Sequence, residues 1–193
     1  MYEIAITDSQ DIIPLDTSML RDVTQKTLSE EGVASAVISL AFVDNETIRN
    51  LNRQYLNHDY DTDVLSFLLE CDVAAGGDAT PQDTSQPGPR GLGKRIEGEV
   101  VISAETAVLA AAQYAWSPRN EIMLYLVHGL LHLAGYDDCS ESEKRVMRSR
   151  EREILRLFNL VPRYHEPENF DSDEPRTVSE ETVSIDESSG ADS

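Results

Sequence analysis

The sequence predicts a single α/β domain in which a mixed four-stranded sheet is packed with about five helices. Three observations carry that prediction. Short β-branched runs (AVISLAFV, VLSFLL, EVVIS) alternate with longer stretches of helical period. Ser or Asp stands where most of those helices would begin. One stretch, Ser117 to Cys139, is apolar enough to be covered on most sides and to serve as the hydrophobic centre.

Tyr2 to Thr7 alternates as a first strand. Asp16 or Thr17 caps a helix that ends near Gly32, with Met19, Val23, Thr27 and Leu28 along one face. Ala36 to Val43 is a β-branched strand, and Asp44 caps a helix through about Tyr55. Asn57 to Thr62 is polar and turn-like, with His58 as a solvated loop residue. Val64 to Leu69 and Gly98 to Ile102 read as two further strands. Between them, residues 72–95 are rich in Gly, Pro and polar residues and read as a flexible insertion. Arg90, Lys94 and Arg95 form a basic cluster at its end, expected to be solvated, with a phosphate contact as the alternative. Ser103 caps an alanine-rich helix through about Ala115.

Ser117 and Pro118 open the central helix, and Gly135 supplies the left-handed residue that closes it. Ser140-Glu141-Ser142-Glu143 fits a capping box for a last helix to about Phe158. The Arg and Glu residues of that helix read mostly as a solvated face, with a few arginines able to approach Asp138, since the helix starts just after it. Residues 1–164 form the domain. Residues 165–193 read as an acidic disordered tail, since they are Ser-rich and nearly free of large apolar side chains.

A chain of 193 residues suffices for one domain with a sizeable core. The net charge of −20 is unevenly spread: residues 165–193 hold ten acidic side chains against one arginine, which leaves −11 on the remainder. No apolar run approaches the roughly 20 residues of a membrane helix. The first residues show no basic segment followed by an apolar one, so no leader is expected. Cys71 and Cys139 are too few for a disulfide framework, which fits a reducing cytoplasm. Cys139 is expected to be a buried thiol.

His128 and His132 lie four residues apart on the central helix, so both imidazoles can reach one ion. Asp137 and Asp138 follow Gly135, where the chain can fold back and offer a carboxylate to the same point. This pattern favours a shared divalent ion over two core histidines bonded to backbone. Gly129 stands where the HExxH motif carries its glutamate base, which argues against a zinc peptidase of that type.

His128-Gly-Leu-Leu-His132-Leu-Ala-Gly-Tyr-Asp137-Asp138 resembles the HGxLHLxGYDH signature of the YbeY family of metal-dependent endoribonucleases. Asp61-Thr-Asp-Val-Leu-Ser-Phe67 resembles that family's TDVLSF strand. Gly98-Glu-Val-Val-Ile-Ser103 resembles its strand of similar pattern, and the likeness covers roughly residues 36 to 160. The resemblance implies cleavage of single-stranded RNA, maturation of the 3′ end of small-subunit rRNA, and ribosome quality control. It implies that His128, His132 and Asp138 hold one divalent ion, with zinc expected. Asp138 stands where the family usually has histidine; a carboxylate remains a normal ligand and shifts preference toward harder ions. Asp137 is expected either to orient a ligand imidazole or to stabilise the turn.

Leu56 stands at a family arginine position; either Arg53, one turn back, supplies the charge in catalysis or that contribution is absent. The acidic body disfavours capture of RNA from solution, which suggests delivery on a partner such as the ribosome or its small subunit. The competing classes are a metallohydrolase of a small molecule or peptide and a non-catalytic ribosome-assembly factor with a structural metal.

Overall fold

The computed structural model describes residues 1–73 and 88–164. In chain order the elements are β1 (Tyr2–Asp8), α1 (Thr17–Glu30), β2 (Ser35–Val43), α2 (Asn45–Leu56), β3 (Val64–Val73), β4 (Lys94–Ser103), α3 (Ala104–Gln113), α4 (Pro118–Ala134) and α5 (Glu141–Arg156). The sheet order is β1-β2-β4-β3. β1, β2 and β4 run parallel, and β3 pairs antiparallel with β4 at one edge. The mixed four-stranded sheet with five helices is therefore as the sequence predicts. Residues 165–193, and 74–87 of the expected insertion, lie outside the described residues.

The helices begin where the capping residues place them. Asp16, Asp44, Ser103, Ser117 and Ser140 each accept a backbone N–H from the first turn, and Ser140 and Glu143 complete the reciprocal capping box. Gly135 adopts φ 110°, and the Tyr136 N–H reaches back to the Leu131 carbonyl at 3.0 Å, closing α4 as a Schellman motif. Two boundaries differ from expectation. β3 runs on to Val73 and β4 starts at Lys94, because Asp72 and Val73 pair with Arg95 and Lys94 across the ladder. Cross-strand hydrogen bonds extend these strands beyond the apolar residues that signal them in the sequence.

The main core lies on one face of the sheet. Ile38, Leu40 and Phe42 of β2 and Ile96, Val100 and Ile102 of β4 alternate toward it, with the period of two that strands impose. α4 is its centre: from Ile122 to Ala134 all but the two histidines are buried. On the other face Val43, Ile48, Leu65 and Val101 form a smaller cluster that seats α2. Close approach of α4 to the sheet is made possible by Gly129. A Cβ there would sit 2.6 Å from Val100 Cγ1 and 3.0 Å from Ser66 Oγ. The Ser66 hydroxyl donates instead to the Gly129 carbonyl at 3.1 Å. This face of α4 lies against the sheet, so a catalytic glutamate at position 129 has no room.

Gly129→Ala tests that packing. Alanine gains about 1 kcal/mol of helix propensity over glycine, but overpacking a close core contact costs about 1–3 kcal/mol. Val100 is β-branched and stiff at χ1, so the expected result is a net loss in urea denaturation. A variant as stable as the parent would show that the strands give way freely.

Candidate metal centre

α4 presents Glu121, Tyr125 and His128 to one cleft of about 570 Å³, as their i, i+4, i+7 spacing requires. His132 lies one turn beyond His128. The two imidazoles face each other through Nε2 atoms 2.9 Å apart, with the rings nearly perpendicular at 84°. Asp138, carried back by the turn after Gly135, places Oδ2 3.9 Å from His128 Nε2 and Oδ1 3.9 Å from His132 Nε2. One donor atom from each of the three residues lies within 4.8 Å of the others.

The remaining nitrogens are already committed. His128 Nδ1 donates to Glu151 Oε1 at 2.6 Å, and His132 Nδ1 donates to the Tyr136 carbonyl at 3.1 Å. That assignment turns both Nε2 atoms toward Asp138. Burial disfavours the charged form of His128, but the Glu151 carboxylate more than offsets this, and its pKa is raised. His132 moves the other way: burial first, then the neighbouring His128, lower it. With both Nδ1 atoms donating, the 2.9 Å contact between the Nε2 atoms needs a proton on one of them. A divalent ion taking that proton's place would meet two imidazole nitrogens and a carboxylate oxygen, a donor set that suits zinc or a somewhat harder ion.

Glu151 was not legible as part of this centre and corrects the reading of α5 as mostly solvated. It is 2% exposed, and it also accepts the Tyr164 hydroxyl at 2.6 Å. The available signal was its spacing: Met147, Glu151, Ile154 and Leu155 form one buried stripe. Arg150 is likewise drawn inward. Its Nε donates to Glu31 Oε1 at 2.6 Å, and Glu31 is fully buried at the end of α1. The Tyr136 hydroxyl meets the same carboxylate at 3.3 Å, so this ion pair anchors the turn between His132 and Asp138.

Arg90, expected at a solvated loop end, is 7% exposed. Its guanidinium lies over the Tyr136 ring at 4.3 Å and donates to the Gly135 carbonyl at 3.3 Å. Lys94 donates to the Ala134 carbonyl at 2.7 Å. The unpaired carbonyls at the end of α4 draw both cations in. Of the basic cluster, only Arg95 remains exposed.

The other expected residues fall as follows. Asp137 accepts the Asp138 N–H at 2.8 Å and also bonds Cys139, contacts that hold its pKa low. It stabilises the turn. Cys139 is exposed, not buried as expected, because the turn ahead of α5 lies at the surface. Arg53 and Arg49 both grip Asp59, at 2.7 and 2.8 Å. Neither lines the cleft, nor does the half-exposed Leu56. His58 is exposed and stacks on Tyr60. From α5 and the segment after it, Lys144, Arg148 and Arg163 do line the cleft, together with Asp61, Asp63 and Glu121.

An α/β scaffold with a His–His–Asp group at the side of an open cleft, each imidazole oriented from behind, is the framework of a metal-dependent hydrolase. The family model described as "Endoribonuclease YbeY" matches residues 5–159. A protein of that name from Salinibacter ruber is 39% identical over 77% of this chain and 87% of its own. Another from Carboxydothermus hydrogenoformans is 40% identical over 80% of this chain and 96% of its own. A solution structure from Thermotoga maritima, 18% identical, aligns over 82% of this chain and 92% of its own with a TM-score of 0.48. The chain belongs to the endoribonuclease YbeY family.

Proposed function

We propose that this chain is a single-strand-specific endoribonuclease that hydrolyses RNA phosphodiester bonds with one divalent ion, zinc, held by His128, His132 and Asp138. The observation that carries the reading is the convergence of those three residues, of which His128 and Asp138 line one cleft with Lys144, Arg148 and Arg163. Family membership supports RNA as substrate, and the resemblance in its motifs supports a part in small-subunit rRNA 3′-end maturation and ribosome quality control. When bound, the ion supplies Lewis acidity, acidifying water and offsetting charge on a phosphate oxygen.

The chain's own residues position and neutralise. Glu151 fixes the tautomer of His128, and the Tyr136 carbonyl fixes that of His132. Asp137 aims Asp138 through the turn it stabilises. Lys144, Arg148 and Arg163 offer positive charge to the phosphates. Arg53 acts at one remove: with Arg49 it holds Asp59, and so the loop that leads to Asp61 and Asp63 on the cleft wall.

The cleft carries more carboxylates than cations. Affinity for nucleic acid comes largely from counterion release by Lys and Arg, so this composition supports delivery of substrate on the ribosome or its small subunit, in the cytoplasm. No helix among the described residues is long and apolar enough to cross a membrane. Incubating the purified protein with single-stranded and duplex RNA, with and without chelator, tests the reading. Chelator-sensitive cleavage of the single strand is expected; RNA left intact under every divalent ion would overturn it.

Asp138→His isolates the departure from the family signature. Exchanging an anionic oxygen ligand for a neutral imidazole should strengthen preference for zinc over manganese and magnesium. Competitive metal titration of both forms reads this directly. An unchanged ranking would remove Asp138 from the ligand set.

A further inference from the structure

Glu121 has a buried carboxylate oxygen, Oε1, with no hydrogen-bond partner among the described residues. The residue is 2% exposed, and buried polar atoms are nearly always paired. Glu121 does not serve as a helix cap, since the Ser117 side chain already takes the Asn120 N–H. Nor does it join a second metal group: among the described residues only His128, His132 and Asp138 form one. It lines the same cleft as His128, seven residues and so about 10.5 Å along the helix axis from it.

The surroundings of Glu121 say what kind of partner fits. Asp63, at the start of β3, faces Glu121 and Tyr125, and its own Oδ1 is engaged by the Val64 N–H and the Thr62 hydroxyl. Leu109, Ala110 and Leu124 supply apolar wall. The Asp63 and Glu121 carboxylates repel phosphate, whereas Lys144, Arg148 and Arg163, which line the same cleft, attract it. An uncharged planar group that presents hydrogen-bond donors fits beside Glu121, and in an RNA strand that group is a nucleobase. Guanine presents two parallel donors, N1–H and N2–H, to a single carboxylate. Adenine and cytosine pair one donor with an acceptor, and uracil flanks its donor with two carbonyls.

We propose that Glu121 is a specificity-determining residue that accepts N1–H and N2–H of an unpaired guanine lodged beside the hydrolytic centre. The cleavage arm of its test rests on the endoribonuclease reading; the binding arm does not. Burial, and then the charge of Asp63, push the Glu121 carboxyl up to about 7. Tyr125 is the other titratable group facing it, and burial keeps that phenol neutral. Guanine binding requires the ionised carboxylate, so selectivity grows as the pH rises through neutrality.

The first arm measures calorimetric binding of guanosine, inosine and adenosine 5′-monophosphates to the full chain and to Glu121→Gln. The phosphate is common to all three, and inosine lacks only the N2 donors. Guanosine monophosphate should bind about tenfold or more tightly than the other two, and Glu121→Gln should erase that difference. Equal binding of the three by the parent chain overturns the proposal. Folding of the variant is checked by melting: removing a buried charge should raise its melting temperature relative to the parent above about pH 7, with the gap closing below about pH 4.5. The second arm compares cleavage of single-stranded oligonucleotides that differ in one guanine. Cleavage indifferent to that guanine overturns the subsite and leaves the nuclease reading intact. Guanine-selective binding without any cleavage supports the subsite and overturns the nuclease reading.

Discussion

Replacing His128 or His132 with alanine is expected to abolish tight divalent-ion binding and RNA cleavage together. The two imidazoles supply two of the three donor atoms that come within 4.8 Å of one another. A lone histidine with Asp138 retains one nitrogen and one carboxylate, which is too few for a stable zinc site. The fold should survive, because neither ring is fully buried. Metal content by mass spectrometry and cleavage of a single-stranded oligonucleotide are the paired readouts, with circular dichroism as the control. Stoichiometric metal in either folded variant would mean that the ion sits elsewhere.

Glu151→Gln should have the next largest effect. The carboxylate accepts His128 Nδ1–H and the Tyr164 hydroxyl, both at 2.6 Å, and so keeps His128 Nε2 turned to the ligand point. An amide of the same size removes the charge that makes the imidazole a better ligand. Loss of such a partner typically costs 10–100-fold in metal affinity. Cleavage should fall in parallel at limiting metal and recover as metal is raised, an outcome that general loosening of the fold does not give. Unchanged metal affinity would reduce Glu151 to a structural partner of Tyr164. The variant should also show a lower His128 pKa by NMR titration, since the attraction that raises it is removed.

The residues legible in the sequence share one property: their partners are near in the chain. Caps at Asp44, Ser117 and Ser140 act within three residues. The His128–His132 pair follows from one helical turn, and the return of Asp138 follows from the left-handed Gly135. Strand β2 announces itself through β-branched residues whose local preference agrees with their place in the sheet. Here local geometry alone determines which side chains meet.

What the tertiary structure decided lies across long separations. Glu151 reaches His128 over 23 residues, Arg150 reaches Glu31 over 119, and Arg90 reaches Gly135 over 45. In sequence each reads as an ordinary surface charge. Burial reverses that reading, because a charge taken from water must find a partner at hydrogen-bond distance. Those partners stand on other elements, brought close only when α1, α4 and α5 pack together. Glu121 shows the same physics incomplete: packing buried its oxygen without supplying a donor from the described residues. The sequence alone determined the ligand helix, its caps and the two histidines on one face. Packing determined the charges behind and beside them, because burial and proximity are properties of the folded chain.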